Sequence, residues 1–107
     1  MVTKLSGKVV LITGATAGIG QACARALAEE GARLVVTGRR QERLEELTHE
    51  AEKLGTQAIS VAGDAREERT AIRTVEAAIQ AFGQIDILIN NAGAGNYKNL
   101  VETSAED

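Results

Sequence analysis

The stretch Thr13-Gly14-Ala15-Thr16-Ala17-Gly18-Ile19-Gly20 constrains this chain most. It stands between an apolar run, Val9-Val10-Leu11-Ile12, and a small-residue helical pattern that begins at Gln21. Three glycines thus fall where a buried strand must become a helix. Gly14 permits the tight turn, Gly18 lets backbone N–H groups approach an anion, and Gly20 lets the helix pack closely on the sheet. The positive end of the helix faces the same point, an arrangement suited to a diphosphate. The spacing is G-x-x-x-G-x-G, because a G-x-G-x-x-G frame starting at Gly18 would need a glycine where Cys23 stands. A plain strand-to-helix turn would use the same residue types, so other signals must decide.

The rest of the chain repeats one unit. Lys8 to Thr13 reads as a first strand, apolar without alternation and therefore covered on both faces. A first helix is expected from Gly18 to Glu30, stopped by Gly31, with Ala22, Cys23 and Ala26 keeping its inner face slim and Cys23 beside Ile19 and Leu27. Arg33 to Thr37 forms the second strand, and Gly38-Arg39-Arg40 the loop that leaves it. Leu44, Leu47, Ala51 and Leu54 mark a second helix closed by Gly55. Gln57 to Val61 is the third strand, and Ile72, Val75, Ile79 and Phe82 mark a third helix ended by Gly83. Ile85 to Asn90 is the fourth strand.

This alternation predicts an α/β, Rossmann-like, doubly wound parallel sheet with right-handed crossovers and strand order 3-2-1-4. A ligand is then expected at the carboxyl ends of strands one and four, where the order reverses. The glycine turn and Asn90-Asn91-Ala92-Gly93 fall there.

The two motifs, in this order and spacing, resemble the short-chain dehydrogenase/reductase family, and the resemblance runs over nearly all 107 residues. It implies an oxidoreductase that moves a hydride between a nicotinamide and a carbonyl or alcohol. In that family an Asp or Glu ending the second strand selects NAD, but here Gly38 stands there, followed by Arg39 and Arg40. Guanidinium forks suit a 2′-phosphate. With roughly 1.5–3 kcal/mol for a hydrogen bond to a charged group, one arginine supplies about a ten- to hundredfold preference for NADP(H). A solvated helix start, with Glu42 pairing locally near Arg43, is the competing reading.

The resemblance further implies that Asp64 meets the adenine amino group and the Ala65 N–H a ring nitrogen, with the backbone from Asn90 through Asn91 to Ala92 beside the adenosine ribose. Asp64 also has capping-box-like spacing to Glu67. Asn90 and Asn91 could simply end a strand, but the full Asn90-Asn91-Ala92-Gly93 string favours the cofactor edge. The cofactor-binding set is therefore Gly14, Thr16, Ala17, Gly18, Ile19, Gly20, Arg39, Arg40, Asp64, Ala65, Asn90, Asn91 and Ala92. Thr13 and Thr16 support the turn in the resemblance, and Thr13 is otherwise only a β-branched strand residue.

No catalytic role can be carried over. The family's proton-transferring tyrosine precedes its lysine by four residues, with a serine and an upstream asparagine beside them. The lysines here are Lys4, Lys8, Lys53 and Lys98, and the residues four before the last three are Lys4, His49 and Ala94. Tyr97 and Lys98 are neighbours, so in an extended loop they point apart. The glycine turn and Thr37 to Leu44 look like NADP-dependent members acting on 3-hydroxy acids or 3-oxoacyl groups.

Composition narrows the rest. A net charge of −3 argues against a nucleic-acid or membrane-surface partner, and without an apolar span or leader a cytoplasmic location is expected. With 44% apolar residues, no proline and only Phe82 and Tyr97 as aromatics, the core must be aliphatic. One cysteine and one histidine cannot assemble a zinc set, and His49 among Glu45, Glu46 and Glu50 reads as a surface residue. Residues 1–107 are expected to form one dinucleotide-binding half-domain, incomplete at its C-terminal end, since Thr103-Ser104-Ala105-Glu106-Asp107 opens a helix without a body. The parent protein is expected to be an NADP-dependent enzyme and a homo-oligomer acting on a small carbonyl or alcohol. The alternative is a stand-alone nucleotide-binding or self-associating half-module, since the fourth strand would lie at a sheet edge.

Overall fold

The computed structural model describes residues 5–15 and 18–91. Within them the elements are β1 (Val9–Thr13), α1 (Gly18–Glu29), β2 (Arg33–Gly38), α2 (Gln41–Lys53), β3 (Ala58–Ala62), α3 (Glu68–Phe82) and β4 (Ile87–Asn90). All strand pairs are parallel and the sheet order is β3-β2-β1-β4, as the alternation predicts.

Strand residues divide by parity between two layers. Val10, Ile12, Leu34 and Val36 face α1 and α2, together with Ala24, Ala28, Leu44, Leu47 and Ala51. Val9, Leu11 and Val35 face α3, with Ala71, Val75 and Ala78. A strand covered on both sides cannot alternate apolar with polar, which is why β1 is apolar throughout and fully buried.

Two helices sit differently from the sequence expectation. The buried stripe of α1 is Gly20, Ala24 and Ala28, whereas Ala22 and Ala26 are exposed, Cys23 is half-buried and Ile19 is 74% exposed. In α3 the buried residues are Thr70, Ala71, Thr74, Val75 and Ala78, while Ile72 is exposed and Ile79 and Phe82 pack only at the margin of the core. Both helices approach the sheet through small side chains, a closer fit than the bulkier residues allow. In α2 the expected stripe holds through Leu44, Leu47 and Ala51, but Leu54, its C-cap, is 52% exposed.

Candidate functional site

Parallel pairing sets the carboxyl ends of all four strands on one rim. Gly14 follows β1, Arg39 follows β2, Gly63 and Asp64 follow β3, and Asn91 follows β4. At the order reversal, Thr13 pairs with Asn90 in the β1–β4 ladder. The Thr13 hydroxyl, fully buried, donates to Asn90 Oδ1 at 3.0 Å, and Asn91 Nδ2 donates to the Gly14 carbonyl at 3.2 Å. Thr13 is thus more than a strand-former, and both asparagines are tied to the turn.

The glycines behave as their positions demand. Gly14 and Gly18 have φ of 63° and 55°, a region costly for any residue with a Cβ. A Cβ on Gly20 would collide with the Gly14 carbonyl oxygen and stand 2.8 Å from Asn91 Nδ2. Gly20 therefore clears space for the turn and Asn91 as much as for the sheet. Across the rim the Ala15 N–H donates to the Thr37 carbonyl at 3.0 Å, and the Gly63 N–H to the Gly38 carbonyl at 2.8 Å. Thr16, Ala17 and Ala92, with Tyr97, Lys98 and the segment from Thr103, lie outside the described residues.

Beyond β2 the rim is cationic. Arg40 is the N-cap of α2 by its backbone, makes no side-chain cap, and with Gln41, Glu42 and Arg43 lines a shallow cavity of about 270 Å³. Among the described residues nothing pairs with the Arg40 guanidinium, nor does Glu42 form an ion pair with Arg43. Arg39 is not idle. Its Nη2 donates to Asp64 Oδ2 at 3.0 Å from a side chain that is 63% exposed.

Asp64 is the most heavily engaged acid on the rim. Arg66 donates to it from its backbone N–H (2.9 Å) and Nε (3.1 Å) at Oδ1 and from Nη2 (3.0 Å) at Oδ2. These bonds, with the charge of Arg39, hold the carboxyl well below the usual carboxylate range. The capping-box expectation fails, because the N-cap of α3 is Glu67, which makes no side-chain cap. The Asp64 side chain instead closes an Asx turn onto the Arg66 N–H, while the Asp64 backbone carbonyl accepts the Glu67 N–H at 3.0 Å. Ala65 is 6% exposed and packs in the layer under α3. The sequence reading does not single out Arg66, although Asp64-Ala65-Arg66 spacing after a strand is itself an Asx-turn signal.

The rim has the layout of a nucleotide crevice at a topological switch point. Residues 8–107 match the family model described as short chain dehydrogenase. The chain belongs to the short-chain dehydrogenase family. Its relatives include a 7alpha-hydroxysteroid dehydrogenase from Clostridium sardiniense, 41% identical over 97% of this chain and 41% of that protein. Among solved structures, L-sorbose reductase from Gluconobacter frateurii complexed with NADPH and L-sorbose superposes with a TM-score of 0.80 at 42% identity, over 89% of this chain and 36% of that one. A NAD⁺-bound xylitol dehydrogenase superposes at 0.75 and 38% identity, over 80% and 33%. This short-chain dehydrogenase sequence spans 29–42% of the length of curated relatives it matches. Among the described residues there is no cluster of His, Cys, Asp and Glu able to hold a metal, and no helix is long and apolar enough to cross a membrane.

Proposed function

We propose that this chain is the NADP(H)-binding part of an oxidoreductase acting on a small carbonyl or alcohol substrate of the 3-hydroxy acid or 3-oxoacyl type. One observation carries the choice of cofactor: β2 ends at Gly38, without a carboxylate, and is followed by Arg39 and Arg40 on the rim that holds the glycine turn. The fit is supported by Gly20, where a Cβ would strike the Gly14 carbonyl oxygen and the Asn91 amide, so that only glycine leaves the turn and Asn91 in place at the head of α1.

Backbone amides at the head of α1, from Gly14 and Thr16 through Ala17, Gly18, Ile19 and Gly20, hold the diphosphate. Arg39 and Arg40 take the 2′-phosphate, Asp64 and Ala65 face the adenine, and Asn90, Asn91 and Ala92 line the ribose side. A nicotinamide held at this rim would supply or take up the hydride. The residues of this chain bind and orient, and none of them is given a proton-transfer role. The parent protein is read as a cytoplasmic homo-oligomer.

The L-sorbose reductase carries NADPH and the xylitol dehydrogenase NAD⁺, so thermal shift in the presence of each cofactor is the direct test. NADPH is expected to raise Tm more than NADH at equal concentration, because tighter binding to the native state gives the larger shift. Equal shifts, or none, overturn the assignment of the arginines.

A further inference from the structure

We propose that Arg66 is a positioning residue that keeps the Asp64 carboxylate satisfied, so that Arg39 can leave it for the 2′-phosphate of a bound dinucleotide. This rests on reading the rim as an NADP(H) site.

Arg39 and Arg66 hold Asp64 unequally. Arg39 contributes a single bond from Nη2, shared at Oδ2, whereas Arg66 grips both carboxylate oxygens with its guanidinium fork and adds its own N–H. The fork does not depend on Arg39. If Arg39 swings to a phosphate, Asp64 keeps two-point recognition and does not stand as a bare anion beside the incoming dianion. If Arg66 were missing, Arg39 would be the only cation on Asp64, and a phosphate would have to compete with that carboxylate for it. Two arginines against one aspartate leave the cluster with a net positive charge, which is what a dianionic ligand requires.

Neighbouring cations cannot replace Arg66. Arg69 lies 3.9 Å from Glu67, and Arg73 donates to the Ala62 carbonyl at 2.7 Å. The Arg66 side chain is 67% exposed and contributes nothing to either core layer, so its fork to Asp64 has no packing explanation.

The test is a double-mutant cycle in the full chain, reading Kd for NADPH and NADH in wild type, Arg66→Gln, Asp64→Asn and the double variant, with circular dichroism confirming each fold. Arg66→Gln is expected to cut the preference for NADPH over NADH by roughly tenfold, the scale of one charge-assisted bond. In the Asp64→Asn background, where no carboxylate competes for Arg39, the same substitution is expected to change the preference by less than about threefold. Arg66→Lys, which keeps the charge without the fork, should fall between, and it replaces Arg66→Gln should that variant fail to fold. An unchanged preference in Arg66→Gln, or an equal loss in both backgrounds, overturns the proposal, the latter because Arg66 would then meet the phosphate itself. A wild type with no preference for NADPH overturns the reading of Arg39 as well.

Discussion

A methyl group on Gly20 would strike the Gly14 carbonyl oxygen and crowd the Asn91 amide that donates to it. Elsewhere in a helix, glycine to alanine gains up to about 1 kcal/mol in propensity. At this position the sign reverses, because backbone rather than a flexible side-chain end occupies the space. Gly20→Ala is expected to lower unfolding free energy by about 1–3 kcal/mol, the usual cost of overpacking, as read from urea denaturation. A neutral or stabilising result would mean that the turn yields freely. The glycines were legible in the sequence because each does something only glycine does. The Arg39–Asp64 pair was not, because the two residues are joined only once β2 and β3 pair, with the Gly38 and Ala62 positions in register.

Strands proved easier to read than helix faces. Each strand of a parallel sheet must be apolar on both sides, so an unbroken run such as Val9 to Ile12 announces itself whatever its phase. A helix declares its face only through contrast in size and polarity. In α1, Ala22, Cys23, Ala24 and Ala26 offer little contrast, so the true stripe through Gly20, Ala24 and Ala28 could not be told from its neighbour. In α3 the threonines at 70 and 74 are buried, the latter donating to the Thr70 carbonyl at 2.7 Å, and an apolar pattern does not count them.

Element docking also carries a pH signature at the amino end of the sheet. Asp86, just before β4, accepts the N–H of fully buried Val9 at 2.8 Å and is also bonded by Gln84. The Val9 bond is the main influence holding this carboxyl below its ordinary value near 3.8. A lowered carboxyl pKa stabilises the fold above the unfolded value, and the contribution is lost as pH falls through the folded one. Asp86→Ala is therefore expected to cost about 1–2 kcal/mol at neutral pH, since it strands a buried N–H, and less once the wild-type acid is protonated. Urea unfolding at pH 7 and through a descending series of acid pH values checks this, and a cost that does not change along the series would rule out the carboxylate.

At the scale of the molecule, burial is uneven across the sheet. In the centre β1 and most of β2 are fully buried, whereas every residue of β3 is half-covered and β4 is half-covered or exposed. Among the described residues Ile87, Leu88 and Ile89 of β4 pair only with β1, which leaves their outward backbone N–H and C=O groups for another strand. Leu88 within β4 and Ile85 just before it are only partly covered, and on the rim Ile19 is 74% exposed. The usual protections of an edge, namely charged side chains, proline or a bulge, are missing from Ile87-Leu88-Ile89-Asn90. A polypeptide of these 107 residues is therefore expected to associate through β4 at tens of micromolar, giving dimers or larger species by light scattering. Ile89→Lys would put a charge on that strand and should shift the population toward monomer, with circular dichroism reporting whether the fold survives. A monodisperse wild-type monomer at those concentrations would show that β4 is already protected and that its half-covered residues drive no association.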